Sequence, residues 1–131
     1  MDSNEGYHIV FKLNGPESEV ALPFAVSEKP WEWQVRVVGY SLSYTSPLRV
    51  DDPLFICCNI VSPSTLYQDS WLPSLITIPL EKTKGRFIGS DLIDNPYVSL
   101  VSCADISLSV KPRMPSSGYV ILQFQRKSDQ F

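Results

Sequence analysis

The chain has 131 residues, 44% of them hydrophobic, and a formal net charge of -3. That is one domain's worth of residues with enough apolar content for a real core, which excludes a disordered chain. The acidic balance argues against a surface built to neutralise phosphates. Apolar runs such as Leu54 to Cys58 fall far short of the ~20 residues of a membrane span.

Period-two alternation carries the rest of the chain. The N-terminal stretch, residues 1–6, is acidic and polar, unlike a secretory signal, and is expected to be a flexible arm. Tyr7, Ile9, Phe11 and Leu13 alternate with His8, Val10 and Lys12, predicting a strand that ends at the Asn14-Gly15-Pro16 turn. Ser18 to Ala25 predicts a second, with Val20, Leu22 and Phe24 on one face and Ser27 to Pro30 as the break.

The longest predicted strand is Trp31 to Tyr44. Trp31, Trp33, Val35 and Val37 share one phase, whereas Tyr40, Leu42 and Tyr44 share the other. A bulge at Val37-Val38-Gly39 reconciles them. Leu54 to Val61 is nearly all apolar and reads as a strand covered on both sides. Ser62 to Ser70 reads as a polar loop, and Trp71 to Leu80 as a strand limited by Pro73 and Pro79 to Ser74–Ile78.

Glu81 to Pro96 is the longest predicted connection, with a short strand at Arg86 to Ile88. Tyr97–Val101, Ala104–Val110 and Tyr119–Gln125 complete the set, and residues 126–131 form a polar tail. Eleven prolines interrupt the chain, and no capped 3.6-residue period is present, so helix is a minor component. The expectation is an all-β domain over residues 1–131, an eight-stranded antiparallel β-sandwich wound as a single jelly roll. An immunoglobulin-like sandwich is less fitting, because all three cysteines follow the Trp31/Trp33 pair.

Chemistry is sparse. Cys57 and Cys58 are adjacent and point to opposite faces of a strand, and with Cys103 they read as buried free thiols. His8 is the single histidine, which leaves no metal-ligand set. Asp51-Asp52 reads as a turn entering a strand, and Asp91 with Asp94 as loop residues. Lys82, Lys84 and Arg86 read as a solvated loop. No nucleophile elbow and no glycine-rich phosphate loop is present. We expect no enzyme activity, no catalytic or metal residues, no cofactor and no small-molecule substrate. Trp31, Trp33, Tyr40 and Tyr44 suit either a core or a stacking platform, and any two of them facing outward would mark a subunit interface.

Four blocks then point to a family. They are Val20-Ala21-Leu22-Pro23 with Trp31-Glu32-Trp33-Gln34-Val35 and Gly39 to Tyr44; Pro53 to Val61; Asp69 through Leu72-Pro73-Ser74-Leu75 to Pro79; and Asn95 to Leu100 with Asp105 to Leu108 and Gly118 to Lys127. In this order they resemble the penton-type minor capsid proteins of virophages and the Polinton/Maverick and adintovirus-like group. The chain departs from that pattern at Asn59, where an Asp is common, and at Gln68, where a Gly often precedes the acid. The resemblance implies a virion protein made in the host cytoplasm or nucleus. It would form homopentamers at icosahedral fivefold vertices, surrounded by double jelly-roll major capsid trimers. The alternative is a jelly-roll binding module for carbohydrate or a cell-surface ligand.

Overall fold

The computed structural model describes residues 6–13, 18–45, 53–78, 87–91, 95–111 and 115–127. The chain is all-β with antiparallel sheets, and the one α-helix among the described residues is five residues long. In chain order the elements are β1 (Gly6–Lys12), β2 (Ser18–Val20), α1 (Phe24–Glu28), a 3₁₀ turn (Pro30–Glu32), β3 (Trp33–Ser43), β4 (Leu54–Cys58), β5 (Thr65–Tyr67) and β6 (Ser70–Leu72). Then come β7 (Ser74–Ile78), β8 (Phe87–Asp91), β9 (Val98–Ser99), β10 (Ile106–Lys111) and β11 (Ser117–Arg126).

Sheet 1 runs β1-β11-β3-β8, with β9 also paired to β3, and sheet 2 runs β2-β10-β4-β7. The chain changes sheet at nearly every connection, so each sheet interleaves early strands with late ones. Their inward faces share one core. Phe11, Trp33, Val35, Leu42, Leu122 and Phe124 enter it from sheet 1, and Leu54, Ile56, Cys58, Ile106 and Leu108 from sheet 2. Side chains of this kind each contribute about 1.5–3 kcal/mol on full burial.

The phase change in β3 is a bulge. Opposite β11, Ile121 faces Gly39 while the next residue, Leu122, faces Val37, so Val38 is the extra residue. It lets Trp33, Val35 and Val37 point inward before it, and Tyr40, Leu42 and Tyr44 after it.

β4 is buried at every position. Leu54, Ile56 and Cys58 belong to the core. Phe55 and Cys57, on the opposite face, are buried as well, and the Tyr67 ring of the β5–β6 hairpin lies 4.9 Å from that of Phe55.

That hairpin replaces the expected polar loop over Ser62 to Ser70. Only three residues pair on each side, too few for alternation to stand out, and Gln68-Asp69 closes them as a two-residue connection. Gln68 takes a φ of 55°, the conformation a glycine at that place supplies more easily.

Other boundaries shift as well. β2 stops at Val20, and residues 24–28, expected as strand and break, form α1, where the Val26 and Ser27 amides donate to the Pro23 carbonyl. Val26 is fully buried as a result. Trp31 lies in the 3₁₀ turn rather than in β3, because Pro30 opens a tight turn closed by the Trp33 amide. The short strand expected at Arg86 to Ile88 is β8, so the backbone of Asp91 lies in a strand paired with Gly39 and not in a loop. Gly6 and Arg126, placed in flexible ends, belong to β1 and β11, and the Lys127 amide donates to the Glu32 carbonyl. The expected turn over Asn14 to Pro16 lies outside the described residues, as do residues 1–5 and 128–131.

Candidate assembly surfaces

The aromatic cluster singled out by sequence separates. Trp33, Tyr40 and Tyr44 are core residues, while Trp31 is 63% exposed, so they form no shared platform. Burial raises the Tyr40 phenol above its usual pKa. Trp33 packs against Tyr7 at 5.5 Å between ring centroids, and the Arg126 guanidinium lies 5.2 Å over its indole. The indole N–H itself is buried with no hydrogen-bond acceptor among the described residues.

The cysteines also divide. Cys58 faces the core and its thiol is pushed up to about 12, chiefly by burial. Cys57 is buried on the opposite face of β4 and is pushed up to about 11 by burial, against the lowering effect of Lys111. Both are inert thiols at neutral pH. Cys103, expected to be buried, is exposed, because it follows β9 in an irregular segment.

His8 lies on the exposed phase of β1. Asp51, Asp52, Asp94, Lys82, Lys84 and Arg86 lie outside the described residues. Among the described residues no three of His, Cys, Asp or Glu are grouped to hold a metal ion, and no helix is long and apolar enough to cross a membrane.

Asn59 completes the join between β4 and β10 beyond the last paired strand residue. Its Nδ2 donates to the Asp105 carbonyl at 2.9 Å, and its Oδ1 accepts from the Ser107 amide at 2.7 Å. The side chain thus imitates one more rung of backbone pairing.

Among the described residues, two exposed apolar surfaces are built from side chains paired across a strand ladder. The first is the outer face of sheet 1. Val10 faces Ile121 and Lys12 faces Tyr119 across the β1–β11 ladder. With Gly118 these residues line an open groove of about 440 Å³, and Val10 is 58% exposed. Beside it, Arg36 donates its Nε to Gln123 Oε1 at 2.9 Å while its guanidinium covers the Tyr97 ring at 4.6 Å. Charged side chains described on this face, Lys12 and Arg36, are basic.

The second surface is the hairpin. Leu66 and Trp71 face each other across its ladder and are 56% and 61% exposed. They occupy the opposite phase from Tyr67, so they point away from Phe55 and from the sandwich.

Sequence reading missed both surfaces, though a signal for the first was there. Val10 is an apolar residue in the polar phase of β1, and Tyr119 and Ile121 are apolar in the phase opposite to Val120, Leu122 and Phe124. An edge region with large side chains on both faces has more apolar surface than its own core takes up. Compared with protein families, with curated proteins and with solved structures, the chain matches none.

Proposed function

We propose that this chain is a single jelly-roll capsid subunit of the penton type, closing fivefold vertices of an icosahedral shell as a homopentamer. The observation that carries the reading is the strand order. Taking the eight sheet-forming strands β1, β2, β3, β4, β7, β8, β10 and β11 in sequence, the sheets run first-eighth-third-sixth and second-seventh-fourth-fifth. Such interleaving supports two Greek keys wound into a jelly roll, with β9 as a short addition beside β8.

Assembly adds physical sense to the surfaces. A ring is a heterologous contact that closes by rotation, so each subunit needs two different patches. The outer face of sheet 1 and the hairpin over sheet 2 are two different patches on opposite sides of the sandwich. Trp, Tyr and Arg are the residue types that dominate such interfaces. Major capsid trimers would surround the ring, and the protein would reside in the virion.

Native mass spectrometry of the purified chain tests the reading, with a mass of five subunits as the expected result. Density for the chain at the fivefold axis of particles is the corresponding structural result. A strictly monomeric protein that is absent from particles and binds an arrayed glycan would overturn it in favour of the carbohydrate-binding module.

A further inference from the structure

We infer that the open edge of β1 takes up the β1 strand of a second copy of this chain, antiparallel across a two-fold axis, so that sheet 1 continues from one chain into the next. This contact is separate from the two patches proposed for the ring and goes beyond that reading.

The backbone phase of β1 identifies the occupant as an extended strand. β1 ends the strand order of sheet 1, with β11 on its paired side. The Leu13 amide donates to the Gly118 carbonyl at 2.8 Å, and the register runs without a shift from Lys12 opposite Tyr119 to Gly6 opposite Gln125. In an antiparallel ladder, hydrogen-bonded and non-hydrogen-bonded pairs alternate. Leu13 therefore fixes Tyr7, Ile9 and Phe11 as the residues whose amides and carbonyls bond to β11. Those of His8 and Val10 point the other way, out of the sheet edge, and among the described residues nothing bonds to them. Donors and acceptors alternating at strand spacing are completed by another extended backbone.

The side chains at this edge call for apolar partners. Tyr7 and Ile9 lie in the inward phase with Phe11, yet they are only partly buried. Val20 of β2 pairs with the core residue Ile106 and so shares its inward face, and it is 36% exposed. β1 and β2 approach each other at this flank of the sandwich, and the interior is incompletely covered there.

A second β1 supplies the match. With Ile9 opposite Ile9 of the second copy, Tyr7 meets Phe11 and His8 meets Val10, and each His8–Val10 pair closes two backbone hydrogen bonds. Aromatic and β-branched side chains then stand opposite their own kind on the core side. Tyr7 to Phe11 contains no Asp, Glu, Lys or Arg, and this register sets Lys12 against Gly6 rather than against a second cation. No proline, bulge or inward-pointing charge, the devices that guard sheet edges, interrupts the segment.

The test uses the full chain, with residue-resolved amide exchange followed at low and high protein concentration beside native mass spectrometry. Wild type is expected to pair as concentration rises, and the His8 and Val10 amides to slow at least tenfold as it does. Ile9, bonded to β11 throughout, is expected to exchange slowly at both concentrations. His8→Pro removes an outward N–H and no bond to β11, so it is expected to keep the wild-type urea midpoint while pairing falls at least tenfold. Ile9→Pro removes a ladder bond and is expected to lower the midpoint instead.

Free exchange of the His8 and Val10 amides in the associated wild-type protein overturns the inference, whether or not any variant folds. A His8→Pro chain that pairs like wild type overturns it too, as does slowing seen only when a peptide of other sequence is added to a monomeric chain. A ring of five with both amides exchanging freely keeps the vertex reading and defeats this one. Paired chains with both amides slowed and no ring keep this one and defeat the vertex reading. A wild-type chain that stays monomeric at high concentration overturns both.

Discussion

Gly118 is packed so tightly on Ser41 that a Cβ there would collide with the Ser41 carbonyl oxygen and sit 3.0 Å from the Leu42 Cα. Its φ of +140° belongs to a region L side chains rarely adopt. The same residue offers its carbonyl to the Leu13 amide at 2.8 Å, tying β1 to the start of β11. Gly118→Ala is therefore expected to destabilise the fold by at least about 3 kcal/mol, combining backbone strain with a steric clash against backbone. Urea unfolding checks this, with Gly89→Ala as the milder reference, because its Cβ would lie 3.2 Å from the Tyr40 carbonyl oxygen without a positive φ.

Asn59 both donates and accepts, which a carboxylate cannot do. Asn59→Asp is expected to cost about 1–2 kcal/mol at neutral pH, since the new carboxylate faces the Asp105 carbonyl. That contact would raise the carboxyl pKa in the folded protein above its unfolded value. The folded state then binds the proton more tightly, so stability recovers as pH falls toward and below the folded pKa. Asn59→Ala is expected to lose a similar amount with no such pH dependence. Urea midpoints between pH 4 and 7 distinguish the two.

The buried thiols set an alkaline limit. Cys57 and Cys58 are pushed up from 9.0 to about 11 and about 12, so the folded protein holds these protons when the unfolded chain has lost them. Their contribution to stability is whole below pH 9 and is lost as pH rises through the folded values. Cys58→Ala is expected to flatten that alkaline decline while lowering stability at pH 7. A thiol reagent at pH 8 is expected to modify Cys103 alone in the native protein, and all three cysteines in urea, as counted by mass.

Trp33 should tolerate one substitution and not another. Its indole N–H is buried without an acceptor among the described residues, so Trp33→Phe removes an unmet polar group along with some volume. The expected cost is about 1 kcal/mol or less, against about 3–5 kcal/mol for Trp33→Ala, which leaves a large cavity. Thermal and urea unfolding of both variants check the difference.

How far the residues revealed the architecture depended on the length of each strand. β3 and β11 pair over ten residues, so their alternation, and even the bulge at Val38, could be read from phase alone. β5 and β6 pair over three, where period two is indistinguishable from chance, and a polar loop was the natural reading. Short turns mislead for a related reason. Phe24 continued an apolar phase begun by Val20 and Leu22, yet α1 buries Val26 by a local turn that alternation does not encode. The full covering of β4 was legible from its unbroken apolar run, but the covering element was not, because Phe55 and Tyr67 meet through tertiary packing. The outer patches left their mark only as large side chains in the wrong phase.

One edge of β3 is shared between two partners. β8 pairs with Gly39 to Ser43 and β9 with Gln34 and Val35, so the described pairing along this edge is interrupted between Val35 and Gly39. Hydrogen bonding along this edge is thus split into two short zips, and releasing one does not require releasing the other. Amide exchange should accordingly show two separate rates on β8 and β9, while β11, bonded along both its sides to β1 and β3, exchanges as a single slow block.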